Sequence, residues 1–346
     1  MKNSERIKLG GEFEINPNIL SEFFDYKPKG DIFLYSSGAS ALMAILKHIS
    51  KGKTKVIHLP YYTCHSVVTA CLNVGYHVNF YEPTECFLFP LDYINKIKKG
   101  EVLLTVNYFG FVDDNHVIRD IKSSRSDITI ISDQVQSFWT YDKTEADYSF
   151  TSLRKHFPIP GGAIVYCKNS TITHDIHLNK ATFIEKKLIG SFLKYLQLPD
   201  KVYLNFFEEG EKEIINESEI SKASALVYYL FEKLNLAEAK EKRKTNCRLV
   251  YELGNLHGFN FVFPFTEDVV PLNVPIIIKD RDNVRKKLMG KNVFLPVHWP
   301  TEAFNSSSAI AKRMSSHELS LVIDQRYSVN EIEHQLQSLF NEINHG

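Results

Sequence analysis

The sequence predicts an α/β protein: a large, mostly parallel sheet with helices on both faces, followed by a smaller C-terminal α+β domain. Three observations carry that expectation. Between residues 31 and 133 short apolar runs alternate with stretches of helical periodicity, the pattern of a parallel sheet wound with crossover helices. An acidic residue, Asp133, closes the last of these runs, and ligands of open α/β sheets bind beyond the carboxyl ends of the strands. The chain finishes in an amphipathic helix opened by Ser328-x-x-Glu331, a capping box.

Residues 1–30 read as an N-terminal arm, punctuated by Gly10, Gly11, Pro17, Pro28 and Gly30, with Phe13, Ile15 and the apolar cluster at 20–24 to bury. Residues 31–35 follow as a buried strand and 36–40 as a turn. Ala41, Leu42, Ile45, Leu46 and Ile49 then recur at helical spacing as far as Lys51 and Gly52. Further strands are expected at 55–59, 77–81, 102–106 and 128–132, with helices from about 65 to 75 and over 91–99, the latter capped by Gly100. The stretch 172–217 is charged and aromatic-rich, and its loose pattern assigns no element. Residues 218–253 hold periodicity for one or two long helices, and the boundary between a large domain (31–240) and a small one (241–346) is placed there. In the small domain 271–278, 293–299 and 319–323 read as strands, and 281–289 as a helix stopped by Gly290. Ile332, Leu336, Leu339, Phe340 and Ile343 make the apolar face of the last helix.

A chain of 346 residues is long enough for two such domains. Lys plus Arg (41) balance Asp plus Glu (41), so no global field draws the protein to nucleic acid or to a membrane. The cysteines (Cys64, Cys71, Cys86, Cys167 and Cys247) form no C-x-x-C pair, which argues against a zinc ribbon, and their odd number argues against a secreted disulfide framework. The N-terminal stretch has no apolar core and no later run approaches the length of a membrane span, so a cytoplasmic protein is expected.

The chemistry concentrates near Lys155. An apolar run ending at Phe150 leads into Ser152-x-x-Lys155, and Pro158, Pro160, Gly161 and Gly162 follow, so the lysine is expected on a tight turn between strands. A lysine that forms a covalent link to an aldehyde, with a carboxylate such as Asp133 for a pyridinium nitrogen, is the pair that pyridoxal phosphate needs. Alone, a lysine within Arg154-Lys155-His156 is far more often a solvated surface residue, and Asp133 serves equally well as a helix cap. The combination lifts them, because Ser152 stands where it reaches a phosphate and the glycine pair lies beyond. The lysine must then be desolvated, or set near other cations, to keep its amine neutral. Ser36-Ser-Gly-Ala-Ser40 leaves a strand and opens a helix, so free N–H groups and the helix dipole favour a phosphate there, with Gly38 letting the backbone approach. Taken by itself this is more often an ordinary turn. Val135 is small enough to pack under a ring, and Gln136 is placed to hydrogen-bond a ring hydroxyl. No G-x-G-x-x-G or G-x-x-x-x-G-K-[ST] occurs, and His65, His298 and Cys64 have no metal-ligand spacing.

Five landmarks in this order (Ser37-Gly-Ala-Ser-Ala-Leu42, Pro60-Tyr-Tyr-Thr63, Val106-Asn-Tyr-Phe-Gly110, Asp133-Gln-Val-Gln136 and the Lys155 loop with its glycine pair) together resemble the DegT/StrS family of pyridoxal-phosphate-dependent sugar aminotransferases, which have the aspartate aminotransferase fold, fold type I. Pro296-Val-His-Trp-Pro300 and Ile323-Asp-Gln-Arg-Tyr327 look like the family's small domain. The resemblance implies pyridoxal 5'-phosphate as cofactor, with Lys155 as the catalytic lysine that carries it, Asp133 as partner of its ring nitrogen and Gln136 as a ring-side contact. It also implies that Gly38, Ala39 and Ser152 hold the phosphate and that His298 touches substrate. A homodimer is implied, moving an amino group from an amino acid such as glutamate to a nucleotide-linked keto-sugar in polysaccharide or glycan biosynthesis.

Three departures stand out. Cys64 occupies the position where the family often has an aromatic residue stacked on the cofactor, so either its sulfur packs on the ring or Tyr61, Tyr62 or His65 takes over. Ala39 replaces a usual threonine, and no counterpart of the family's Asn-Tyr-Arg motif lies between Asn179 and Glu217. Two other functions compete. Sugar dehydratases of this kind carry histidine at the lysine position, whereas here Lys155 is present with His156 beside it. A non-catalytic regulatory or scaffold protein on the same fold fits the departures, but leaves Lys155 and Asp133 idle.

Overall fold

The computed structural model describes residues 8–23, 33–50, 54–172, 179–299 and 307–345. They fall into two compact units. The larger comprises Glu12–Tyr108 and Val112–Leu234; the smaller comprises Asn235–Gly346, Phe109–Phe111 and the N-terminal stretch ending at Gly11. Parts of the expected arm (1–7 and 24–30) and the start of the strand expected at 31–35 lie outside the described residues.

Strand β1 (Leu9–Gly10) belongs to the smaller unit. The larger holds β2 (Leu34–Tyr35), β3 (Val56–Pro60), β4 (His77–Tyr81), β5 (Val102–Val106), β6 (Thr129–Asp133), β7 (Tyr148–Ser152), β8 (Ala163–Cys167), β9 (Asn179–Lys180) and β10 (Ser221–Lys222). These nine form one sheet in the order β4-β3-β5-β6-β7-β8-β2-β10-β9. From β4 to β7 every pairing is parallel, while β8 runs antiparallel to both β7 and β2. The expected large, mostly parallel sheet is thus present, and two short strands beyond β2 extend it.

Every residue of β5 and β7 is buried, as in a sheet covered on both faces. Helix α1 (Gly38–Ile49) buries Ala41, Leu42, Ile45, Leu46 and Ile49, the stripe its periodicity predicts, and is followed by α2 (His65–Asn73). Helix α3 (Asn115–Ser124) packs Val117, Ile118 and Ile121 on Leu103 and Ile130. Leu104 and Ile131, the next residues of the same strands, point to the opposite face and are equally buried. The helix expected at 91–99 is instead a 3-10 segment, Leu91–Lys96. None of its residues is buried, so nothing sustains a longer helix, and Ile97 turns extended to reach the core.

The turn carrying Lys155 differs from expectation in one respect: it contains a single helical turn, α4 (Leu153–His156). The prolines act only after it. Phe157, preceding Pro158, is extended (φ −136°, ψ 159°) and ends the turn. Residues 179–217, left unassigned by periodicity, hold the hairpin of α5 (Phe183–Tyr195) and α6 (Asp200–Ile215). Its apolar residues are split between the helix–helix contact and solvent: Ile189, Leu196, Leu198, Val202 and Leu204 are exposed, which blurs any single stripe. Helix α7 (Ala225–Glu232) completes the unit.

In the smaller unit, α8 (Leu236–Leu256) is capped by Asn235, whose side chain accepts from the Glu238 N–H. Strand β11 (Asn273–Ile277), α9 (Arg281–Gly290), β12 (Val293–Phe294), α10 (Ala309–His317), β13 (Glu318–Val322) and α11 (Val329–His345) follow. β11 and β13 pair antiparallel, and β1 lies parallel to β12. The strand expected across 293–299 stops at Phe294, two residues before Pro296, which has no N–H to donate to a ladder. Ser328 offers both its N–H and its hydroxyl to Glu331 Oε2 (2.8 and 2.7 Å), so the Glu331 half of the capping box forms, while the hydroxyl donates to the carboxylate rather than accepting from the Glu331 N–H. Ile332, Leu336 and Leu339 are buried, whereas Ile343 is exposed.

One connection sets up the site. Between β7 and β8 the Gly162 N–H donates to the Ser36 carbonyl at 2.6 Å, with Gly162 at φ +96°. A Cβ there would lie 2.8 Å from Val227 Cγ1 and 2.9 Å from Leu153 Cδ1. Gly162→Ala is therefore expected to cost about 2–5 kcal/mol, backbone strain plus overpacking. Gly100→Ala, also at positive φ (+81°) but facing open space, should cost only about 1–2 kcal/mol. Urea denaturation of both variants checks the difference, and equal losses would remove the packing argument.

Candidate active site

Asp133 ends β6 and is buried. Its Oδ1 accepts from the Val135 N–H at 2.9 Å, the one hydrogen bond its carboxyl group makes among the described residues. Burial with so little compensation pushes its pKa up to about 7. The Val135 carbonyl in turn accepts from His156 Nε2 at 3.0 Å, and Thr151 Oγ1 donates to the Gln134 carbonyl at 2.9 Å. The segment after Asp133 is thereby tied directly to the helical turn that carries Lys155.

Lys155 is exposed to solvent and forms no ion pair among the described residues. Its pKa is lowered, first by the Arg154 guanidinium and then by burial, against the opposing pull of Glu211. Because the side chain keeps contact with water, the Arg154 charge is the cause to weigh. The neighbouring acids are engaged elsewhere. Glu211 Oε1 pairs with Arg154 at 3.2 Å and its Oε2 with Lys187 at 2.8 Å, and Lys187 also pairs with Glu12 at 2.5 Å. Burial works against the Glu211 carboxylate, but Arg154, Lys187 and Lys155 together hold its pKa far below the usual range. None of Glu12, Lys187 and Glu211 was singled out from sequence. They sit on the arm and on the α5–α6 hairpin, and no local pattern marks them.

The Ser36–Ser40 turn opens α1 as expected. Ser37 is the N-cap, its Oγ accepting from the Ser40 N–H at 3.0 Å. Gly38 lies beside the other candidates: a Cβ on it would stand 3.5 Å from Val135 Cγ2 and 3.8 Å from Ser152 Cβ. Gly38, Val135 and Ser152 therefore come together, with Ala39 half-buried next in line. Glu217 was not foreseen: its carboxylate accepts from Ser36 Oγ at 2.8 Å and from Ser37 Oγ.

Cys64 is half-buried at the N-cap of α2, with Sγ 3.2 Å from Ser66 Oγ. Thr63 beside it is buried, and its Oγ1 has no hydrogen-bond partner among the described residues. Gln136 and Ser152 are buried. His298 belongs to the smaller unit. There its Nδ1 lies 3.0 Å from Ser320 Oγ, and its N–H donates to Glu318 Oε2 at 2.7 Å. A cavity of about 460 Å³ in that unit, lined by Phe259, Ile276, Lys279, Asp280 and Glu342 among others, holds none of the residues named from sequence. Among the described residues no group of His, Cys, Asp and Glu is placed to hold a metal ion.

The donor set fits a pyridoxal phosphate. A buried carboxyl with an unengaged oxygen suits a protonated ring nitrogen, the Thr63 hydroxyl lacks a partner, and a side chain at Gly38 would fill the space between the α1 amides, Val135 and Ser152. If the carboxyl is as isolated as it looks, the cofactor-free protein reveals it. A pKa raised from the ordinary value of about 4 means that the folded state binds this proton more tightly than the unfolded chain. The stabilisation is then complete below about pH 4 and lost as pH rises through about 7. Asp133→Asn should therefore be more stable than the parent at pH 8, by up to roughly 4 kcal/mol, with the gap closing toward pH 4. Urea unfolding across that range tests it, and a pH-independent difference would contradict the isolated carboxyl.

No family model matches the sequence, and neither does any curated protein. Similarity appears in solved structures. Spr1654 of Streptococcus pneumoniae, solved in its PLP form, superposes with a TM-score of 0.66 at 15% identity, over 97% of this chain and 93% of that one. PseC of Helicobacter pylori, an aminotransferase involved in the biosynthesis of pseudoaminic acid, gives 0.68 at 13% identity, covering 98% and 100%. A DegT DnrJ EryC1 StrS aminotransferase from Brucella abortus gives 0.63 at 14%, covering 96% and 92%. The chain has the PLP-transferase fold type I, and its structural neighbours include sugar aminotransferases of the DegT/StrS type.

Proposed function

We propose that the protein is a pyridoxal-phosphate-dependent aminotransferase. In this reading it transfers an amino group from an amino acid such as glutamate to a nucleotide-linked keto-sugar, in the cytoplasm and as a homodimer, on the way to a polysaccharide or glycan. The observation that carries the reading is the pair of hydrogen bonds from Asp133 through Val135 to His156, which couples a buried, isolated carboxyl to the turn bearing Lys155. The cofactor, when bound, supplies an electron-accepting ring. Asp133 would hold the charge of the ring nitrogen, with Val135 beside the ring. Gln136 and Thr63 would serve its polar edge and Cys64 its face. The amides of Gly38 and Ala39 and the hydroxyl of Ser152 would bind the phosphate. Lys155, whose pKa is lowered first by Arg154, would be the amine that holds the cofactor's aldehyde carbon, with water as the leaving group, and its Nζ would then hold and move the proton at the substrate carbon. His298 would contact the substrate.

Mixing the purified protein with pyridoxal phosphate should produce a visible band that borohydride removes, leaving a pyridoxyl group on Lys155 in the peptide map. Lys155→Ala should lose the covalent link, still hold the cofactor through the phosphate turn, and transaminate at least about 10²-fold more slowly. A pyridoxyl group on another lysine, or none in a saturated sample, would refute the assignment.

A further inference from the structure

The turn that receives a phosphate in the reading above already holds an anion of the chain itself. Glu217 lies in the link between α6 and β10, and it spreads its carboxylate over two adjacent hydroxyls. Ser36 Oγ donates to Oε1 at 2.8 Å and Ser37 Oγ to Oε2. Ser37 is the N-cap of α1, so the carboxylate sits on the capping hydroxyl of the helix whose first amides, at Gly38 and Ala39, face an incoming anion. Arg154 is the cation close enough to favour its charge.

The link is fastened as well as seated. Asn73 Nδ2 donates to the Glu217 carbonyl at 3.0 Å. Beyond it, Ser221 is locked to the same turn: Ser36 N–H donates to the Ser221 carbonyl at 2.9 Å, Ser40 Oγ donates to that carbonyl at 3.0 Å, and Ser221 N–H donates to Ser40 Oγ. The carboxylate is therefore placed by the fold on the same five-residue turn that would hold the phosphate, on the hydroxyls of Ser36 and Ser37 next to the Gly38 and Ala39 amides. Two anions at one helix terminus disfavour each other even where their donors differ.

We propose that Glu217 is an internal competitor for the anion site of the Ser36–Ser40 turn: its carboxylate, held at the N-terminus of α1 by the two serine hydroxyls, opposes a phosphate group at the neighbouring Gly38 and Ala39 amides. The proposal rests on the cofactor reading above. It makes affinity for phosphorylated ligands depend on a residue that touches neither ring nor substrate.

Glu217→Gln keeps the length but removes the charge, and leaves one acceptor where there were two, so one serine hydroxyl must turn from donating to accepting. Glu217→Asp is one methylene too short to span both hydroxyls. Cofactor-free protein is titrated with pyridoxal phosphate, with pyridoxal and with inorganic phosphate, following quenching of protein fluorescence and, for phosphate, its competition with pyridoxal phosphate. Both variants should bind pyridoxal phosphate and inorganic phosphate about tenfold more tightly or better, a change of one decade in Kd. Affinity for pyridoxal, which carries no phosphate, should be unchanged. Wild-type or weaker binding of pyridoxal phosphate by both variants, or an equal gain for pyridoxal, overturns the competitor while the cofactor reading stands. If neither parent nor variants bind pyridoxal phosphate at all, the cofactor reading fails and takes the competitor with it.

Discussion

The site depends on one backbone contact, the Gly162 N–H on the Ser36 carbonyl. It exists because β8 lies next to β2 in the sheet, although more than a hundred residues separate them in sequence. The same carbonyl would be 2.9 Å from a Cβ on Gly161, so neither glycine leaves room for a side chain between the two segments. On the far side, the Leu153 N–H returns to the Gly162 carbonyl at 2.9 Å, closing the loop that carries Lys155 on itself. The turn bearing Lys155 is thus closed against the segment that opens α1, where a Cβ on Gly38 would stand 3.8 Å from Ser152 Cβ. The glycine pair does not itself bind an anion. Its contribution is the closeness of approach, which fixes everything that does.

The electrostatics around Lys155 follow from the α5–α6 hairpin. Arg154 and Lys155 are adjacent, and two cations side by side would ordinarily be relieved by a carboxylate. Glu211 is that carboxylate, but its oxygens are divided between Arg154 and Lys187, and Lys187 is further bound to Glu12. Partly buried ion pairs of this kind are held in place because breaking one leaves an uncompensated charge. Lys155 is then the member of the group whose charge is least supported. The outcome is a lysine whose pKa is lowered, first by the Arg154 charge beside it, the direction that favours a nucleophilic amine.

Much of this was legible in the sequence because it is written locally. The strands at 77–81 and 102–106 appear where apolar runs place them, and Asp133 sits at a strand's carboxyl end because the run before it stops there. The capping box at Ser328 and Glu331 is a matter of four consecutive residues. What escaped has distant partners. Strands β9 and β10 are two residues long, too short for any period, and exist only because β2 offers an edge. The α5–α6 hairpin has apolar residues on more than one face. Glu217 meets Ser36 and Ser37 across 181 and 180 residues, and no spacing rule relates them. The single helical turn at Lys155 was hidden by the prolines, which act only from Phe157 onward.

Asp133 and Glu217 place opposite demands on whatever enters. Both carboxyls have their pKa raised by burial, but the compensation differs. Asp133 receives one N–H and no cation among the described residues, so a positively charged group brought to its free oxygen removes an existing cost. Glu217 is served by two hydroxyls and by Arg154, so a negative group brought to the same turn meets its charge. Under the proposed reading, a ligand with a cationic ring nitrogen at one end and a phosphate at the other would meet an unengaged carboxyl oxygen at the first position and the Glu217 carboxylate beside the second. The ring end would then add to affinity outright, while the phosphate end would contribute its own hydrogen bonds less the repulsion from Glu217. Such an arrangement would discriminate by the charge distribution of the ligand as a whole, because an anion alone would meet the repulsion without the gain at Asp133.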